Sequence, residues 1–269
     1  MWCCDLSGFQ STAWQFVQSA VVGVVLGVYA FTMPKCPTNS SSEKRSFVEA
    51  LGLNAFALFK QKKMALFFIF SILLGVSLQI TNGFANPFIS DFGQIAQYAD
   101  TFGVKHANIL ISLSQVSETL CILLIPFCLK RFGIKKVMLM AMVAWVLRFG
   151  LFGLGNPGAG VWMFLLSMIV YGVAFDFFNV SGSLFVDKET DSNIRSSAQG
   201  LFIMMTNGIG ATIGTLGAQQ VINHLVGDST GVARMEGWSS AWLAFAAYAL
   251  IVAVLFAIVF KYKHDPKKA

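Results

Sequence analysis

Charge is what this sequence has least of. Only 12% of its 269 residues are charged, about half the share usual in soluble domains, which leaves too little polar surface to cover a water-soluble fold. The 5 cysteines (Cys3, Cys4, Cys36, Cys121 and Cys128) form no CxxC pair and have no histidine at metal-ligand spacing, which argues against a disulfide scaffold or a zinc module. They read as small hydrophobes and bystander thiols. Catalytic templates are missing too. None of His106, His224 and His264 opens an HExxH run, and neither a Gly-Lys-Ser/Thr phosphate loop nor a GxSxG turn occurs. The sequence offers no sign of an enzyme, a metal site or a bound cofactor.

What fills the chain instead is apolar. Hydrophobic residues make up 56% of it, with 26 Phe, and a bilayer core takes about 20 such residues per helical crossing. That template fits seven times, over Trp14 to Met33, Met64 to Ser90, Ala107 to Leu129, Ile134 to Leu154, Val161 to Phe185, Ser197 to Leu225 and Ala241 to Tyr262. The fold class expected is an all-α polytopic membrane protein with seven transmembrane helices. Asp5 and no basic residue precede the first run, so it lacks the charged start of a cleavable signal peptide and reads as a retained helix.

The organisation expected is a segment with a single helix (residues 1–33), a cytoplasmic linker (34–63), a six-helix bundle (64–262) and a basic tail (263–269). Within the linker, Ser46 to Lys60 reads as an amphipathic helix on the membrane surface, with Phe47, Leu51, Phe56 and Phe59 inward. If the linker is cytoplasmic, sixteen of the 19 Lys and Arg share its side, Lys105 and Arg234 lie on the other, and Arg148 falls inside a helix. The net charge of +6 is therefore a topology signal rather than a nucleic-acid footprint. It predicts a cytoplasmic C-terminus and an N-terminus on the outer side.

In such a chain the informative positions are polar groups at membrane depth, because each is costly and commonly faces the bundle interior or a cavity. Gln79 and Asn82 stand at i, i+3 spacing on the second predicted helix, followed by Asn86 and Pro87. Gln115 and Glu118 repeat the spacing on the third, with Ser114 and Ser117 nearby and Pro126 beyond. On the fifth, Tyr171 and Phe175 are i, i+4 neighbours and Asp176 follows directly. Aromatic surface beside amides and acids suits a ligand with a flat ring and hydroxyl groups. The plainer reading of each amide is a hydrogen bond between helices, and of Tyr171 and Phe175, packing. Arg148 reads as structural, either an ion-pair partner for one of the acids or a basic residue reaching the outer surface. Gly210, Gly214, Gly217 and Ala218 form a small-residue face on the sixth helix, and Gly23 and Gly27 a second on the first.

The run KRFGIKKV resembles the short basic loop motif of the major facilitator superfamily, in the place it takes within the C-terminal half. More specifically, SQVSETLCILLIPF, MVAWVLRFGLFGLGNP, SMIVYGVAFDFFNVSGSLFVDKE and IRSSAQGLFIMMTNGIG look like the corresponding runs of the bacterial nucleoside permeases, the nucleoside:proton symporters. The similarity extends from about Trp14 to His264.

The resemblance implies proton-coupled import of purine and pyrimidine nucleosides across the bacterial inner membrane by alternating access, with the proton gradient as driving force and no cofactor. It implies that Gln79, Asn82, Gln115, Glu118, Tyr171, Phe175 and Asp176 bind substrate, and that Glu118 and Asp176 are the candidates for proton coupling. A complete permease has twelve helices in two halves, so by that likeness this sequence holds the last helix of the first half and all of the second. The other six-helix half would be its partner for activity. Two other readings fit the same features: a major facilitator transporter for a sugar or other polar solute, and a non-transporting membrane subunit or fragment.

Overall fold

The computed structural model describes residues 12–34 and 52–262. The chain divides into two compact units, residues 1–50 and 51–269. In the first, helix α1 (Trp14–Ala30) is apolar apart from Gln15, Gln18 and Ser19 in its first turns and has no buried residue. At 17 residues it is about 25 Å long and ends before the predicted Met33, the chain closing in a turn where Thr32 Oγ1 donates to the Tyr29 carbonyl at 2.7 Å. Within this unit, among the described residues, nothing lies within 4 Å of a Cβ added at Gly23 or Gly27.

The second unit is a bundle of six helices, each long and apolar enough to cross a membrane. They are α2 (Lys62–Asp91), α3 (Ala107–Phe132), α4 (Ile134–Leu154), α5 (Val161–Glu189), α6 (Arg195–Leu225) and α7 (Gly231–Val259). Helix α5 packs most extensively on α4 and α3, α4 also packs on α7, and α2 packs on α6. Most predicted ends fall within a few residues of these bounds; the start of α7 does not, lying ten residues before Ala241. Arg234 and Glu236 lower the hydropathy of that stretch, yet the helix continues because Arg234 is paired. Its Nε donates to Asp91 Oδ2 at 2.6 Å, Trp238 Nε1 donates to the same oxygen at 2.7 Å, and Arg234 Nη1 reaches the Gly227 carbonyl at 3.1 Å.

The linker helix also differs from expectation. Leu53–Lys60 is a 3₁₀ helix that buries Ala55 and Leu58 against the bundle and leaves Phe56 exposed. A period of three selects positions i and i+3, whereas the expected face was drawn for a period of 3.6. Phe59 does pack inward, 5.1 Å from the ring of Phe68; Phe47 and Leu51 lie outside the described residues.

Local chemistry sets the sharp features. Gly133 alone joins α3 to α4, with φ 77° and ψ 166°, a backbone region that only glycine enters freely. On α6 the small face meets α2: a Cβ on Gly75 would fall 2.1 Å from the Thr206 carbonyl oxygen, and one on Gly210 or Gly214 would strike the α2 backbone at 2.6 or 2.9 Å. Gly217 is not part of that contact and faces open space. The approach comes where α6 runs as a π-helix over Met204–Gly210.

Two aromatic clusters brace the bundle. Phe67 lies against Phe178, Phe185 and Phe202 near the end that carries most of the basic residues, and Phe88 gathers Phe152, Phe164, Trp238 and Trp242 toward the opposite end. At the basic end Lys63 pairs with Glu189 at 2.7 Å and Lys135 Nζ donates to the Ala257 carbonyl at 3.1 Å. In the loop between α2 and α3, Lys105 pairs with Asp100 at 2.9 Å and holds its carboxyl below the ordinary value, by the hydrogen bond first and the charge second. Polar side chains are concentrated between the two clusters.

Candidate functional site

Midway along the bundle four helices leave a polar cleft, about 730 Å³ including its open mouth. Helix α2 contributes Thr81, Asn82 and Asn86, α3 contributes Asn108, Ser114, Gln115 and Glu118, α4 contributes Arg148, and α5 contributes Tyr171. The α3 residues share a face because 108, 111, 115 and 118 follow helical spacing. Glu118 is eleven residues from the start of α3, about 16 Å along its axis, and so sits near mid-span. Asn86 Nδ2 donates to Asn108 Oδ1 at 2.5 Å, tying α2 to α3 at one rim.

Close packing of α3 on α5 sets the opposite wall. Gly172 makes it possible: a Cβ there would meet the Ser117 backbone and Oγ at 2.7 Å, and Ser117 Oγ donates to the Ile169 carbonyl. Tyr171 is buried, with its ring parallel to that of Phe175, centroids 5.8 Å apart, and edge-on to Trp145. Cys121, one turn on from Ser117, is buried and in no disulfide.

Of the seven residues expected to bind substrate, Asn82, Gln115, Glu118 and Tyr171 line this one cleft. Phe175 lines a smaller neighbouring pocket with Trp145, Asn179 and Thr206. Gln79, one turn before Asn82, stands against Gly214 of α6 and does not line the cleft. Asp176 is buried, and its Oδ2 has no hydrogen-bond partner.

Arg148 departs from the sequence reading. It is 1% exposed and does not reach the surface, and among the described residues no carboxylate lies within ion-pair distance of it. Its Nη1 donates to the Ser167 carbonyl at 2.6 Å, Ser167 Oγ returns a bond to the Arg148 carbonyl at 3.1 Å, and Nε donates to Thr81 Oγ1 at 3.4 Å. The guanidinium lies 4.3 Å over the Tyr171 ring and 5.1 Å over that of Phe152, a favourable cation–π arrangement. Asn108 also escaped notice, although its spacing of seven from Gln115 placed it on the α3 polar face. Among the described residues no cluster of histidine, cysteine and carboxylate could hold a metal ion.

The nucleoside H+ symporter family matches this chain over residues 1–265. The chain belongs to that family. Xanthosine permease of Escherichia coli (strain K12) is 49% identical over 269 residues, covering the whole of this chain and 63% of the permease. Nucleoside permease NupG of the same organism is 48% identical over 265 residues, 98% of this chain and 62% of NupG. In three dimensions the crystal structure of the nucleoside transporter NupG superimposes with a TM-score of 0.80 at 48% identity, over 97% of this chain and 64% of NupG; a mutant form reaches 0.84. This chain thus spans a little under two thirds of the length of these relatives. It shares the multi-pass membrane architecture of a symporter family whose members are transporters, not enzymes.

Proposed function

We propose that this chain supplies one half of the substrate site of a proton-coupled nucleoside importer. The reading rests on one observation above all: amides, an acid and an aromatic from α2, α3 and α5 meet in a single mid-span cleft. A nucleoside carries a flat apolar base and a hydroxylated ribose. Asn82 and Gln115 can donate and accept, Glu118 can only accept while ionised, and Tyr171 offers ring surface. Gln79 and Phe175 extend the site from its margins. Glu118 and Asp176 carry the transported proton, since protonation removes the cost of a charge held at bilayer depth. The proton gradient drives transport and no cofactor takes part.

Alternating access rocks one helical bundle against another around a midplane site. In this reading residues 64–262 form one of those bundles, residues 34–63 the connector and α1 the final helix of the other, whose remaining helices complete the site. The protein lies in the bacterial inner membrane with its C-terminus and residues 263–269 in the cytoplasm and residues 1–33 beginning in the periplasm. Purine and pyrimidine nucleosides are the cargo, by analogy with the xanthosine and nucleoside permeases. Thermal unfolding of the purified chain with uridine, adenosine or a panel of sugars tests the cargo, because a ligand of the folded state raises the midpoint. Stabilisation by nucleosides alone is expected; stabilisation by a sugar with silence from nucleosides would contradict it.

A further inference from the structure

Among the described residues Arg148 is the one cation lining the cleft. Two of its three nitrogens are committed to the bundle, Nη1 to the Ser167 carbonyl at 2.6 Å and Nε to Thr81 Oγ1 at 3.4 Å. Tyr171 lies beneath the guanidinium at 4.3 Å. These contacts fix the side chain in one pose. Nη2 makes no hydrogen bond to any described residue, and it is not one of the sealed, unpartnered atoms, as Asp176 Oδ2 is. Arg148 lines the cleft, and Nη2 is the nitrogen it has left to donate there. An arginine at this depth is expensive to keep, and a guanidinium anchored on one side with donors left over on the other is built to meet an acceptor.

We propose that Arg148 is a specificity-determining residue of the nucleoside site, donating through its cleft-facing nitrogen to a carbonyl oxygen on the edge of the base. The inference rests on the nucleoside reading above. Chemistry narrows the acceptor. Arg148 can only donate, whereas ionised Glu118 in the same cleft can only accept. Ribose hydroxyls both donate and accept and so can serve Glu118, whereas base carbonyls and unprotonated ring nitrogens only accept and are left to Arg148. Glu118 also disfavours an anionic ligand group at the arginine. Guanidinium recognition of an oxo group beside a ring nitrogen is the commonest specific side-chain to base contact. The site should accordingly favour bases bearing that oxo group over analogues without it.

Dissociation constants measured by ligand-detected NMR on the full 269-residue chain in nanodiscs test this. The ligands are inosine and purine riboside, which lacks the 6-oxo group, and the proteins are the wild type, Arg148→Gln and Arg148→Lys. In the wild type inosine should bind about tenfold more tightly than purine riboside, the scale of one good arginine–base contact. Arg148→Gln should weaken inosine about tenfold more than purine riboside and bring the ratio close to one, and Arg148→Lys, which keeps charge but loses the fork, should fall between. Equal affinities in the wild type would overturn the proposal, and this arm needs no variant to fold. So would a ratio that survives Arg148→Gln, or an equal loss of both ligands, which marks a purely structural arginine. Failure of every nucleoside to bind the wild type, both as this chain and joined to the six-helix first half of a related permease, would instead remove the nucleoside reading itself, and this inference with it.

Discussion

Asp176 sits one residue beyond the Tyr171–Phe175 stack with Oδ2 buried and unpartnered, and an ionised carboxylate so placed is costly. If it takes up the transported proton, Asp176→Asn should bind nucleoside yet lose uphill accumulation in the complete transporter. Accumulation equal to wild type would take the coupling role from it. Tyr171 is packed on three sides by Arg148, Trp145 and Phe175, so Tyr171→Phe should keep the stack and most of the affinity. Tyr171→Ala should lose both, weakening nucleoside binding at least tenfold in the same titration; affinity unchanged in Tyr171→Ala would refute it. At this scale the sequence was informative for acids and amides, because a polar letter inside an apolar run stands out. For Arg148 it gave a structural role but left an ion pair and a reach to the surface open, and only the packing of Thr81, Ser167 and Tyr171 around it shows how it turns inward.

The helices themselves rest on a few backbone requirements. Gly133 is the whole connection between α3 and α4, and its φ of 77° and ψ of 166° make Gly133→Ala cost about 1–3 kcal/mol, read as a lowered thermal midpoint in detergent with the cleft residues untouched. Gly75 is more demanding, since an added Cβ meets backbone rather than a movable side chain. Gly75→Leu should separate α2 from α6 and destabilise by about 1–3 kcal/mol or more; a midpoint equal to wild type in either variant would contradict the packing described. Helix existence was legible from apolar length alone, and ends were legible where a glycine or a charged loop intervened. The start of α7 was not, because the Asp91–Arg234 pair that pays for extending the helix joins residues far apart in sequence. Nor was the face of Leu53–Lys60, whose period differs from that of an α-helix.

For the molecule as a whole, the distribution of Lys and Arg predicts which end of the bundle lies in the cytoplasm. A fluorescent reporter fused after Ala269 should be bright in the cytoplasm and an exported phosphatase at the same point inactive; the reverse would invert the topology. The four-helix convergence of Thr81, Asn82, Glu118, Arg148 and Tyr171 could be anticipated only as separate polar pairs, because spacing along one helix does not say which neighbour it faces. The central claim is that this cleft is half of a nucleoside transport site. Its most direct test is uptake of radiolabelled uridine in cells lacking their own nucleoside permeases, comparing this chain with the same chain joined to the six-helix first half of a related permease. The account predicts uptake by the joined protein, abolished by Glu118→Ala, and none by the chain alone. Uptake by the joined protein that is indifferent to Glu118→Ala, or none from any combination that reaches the membrane, would contradict it.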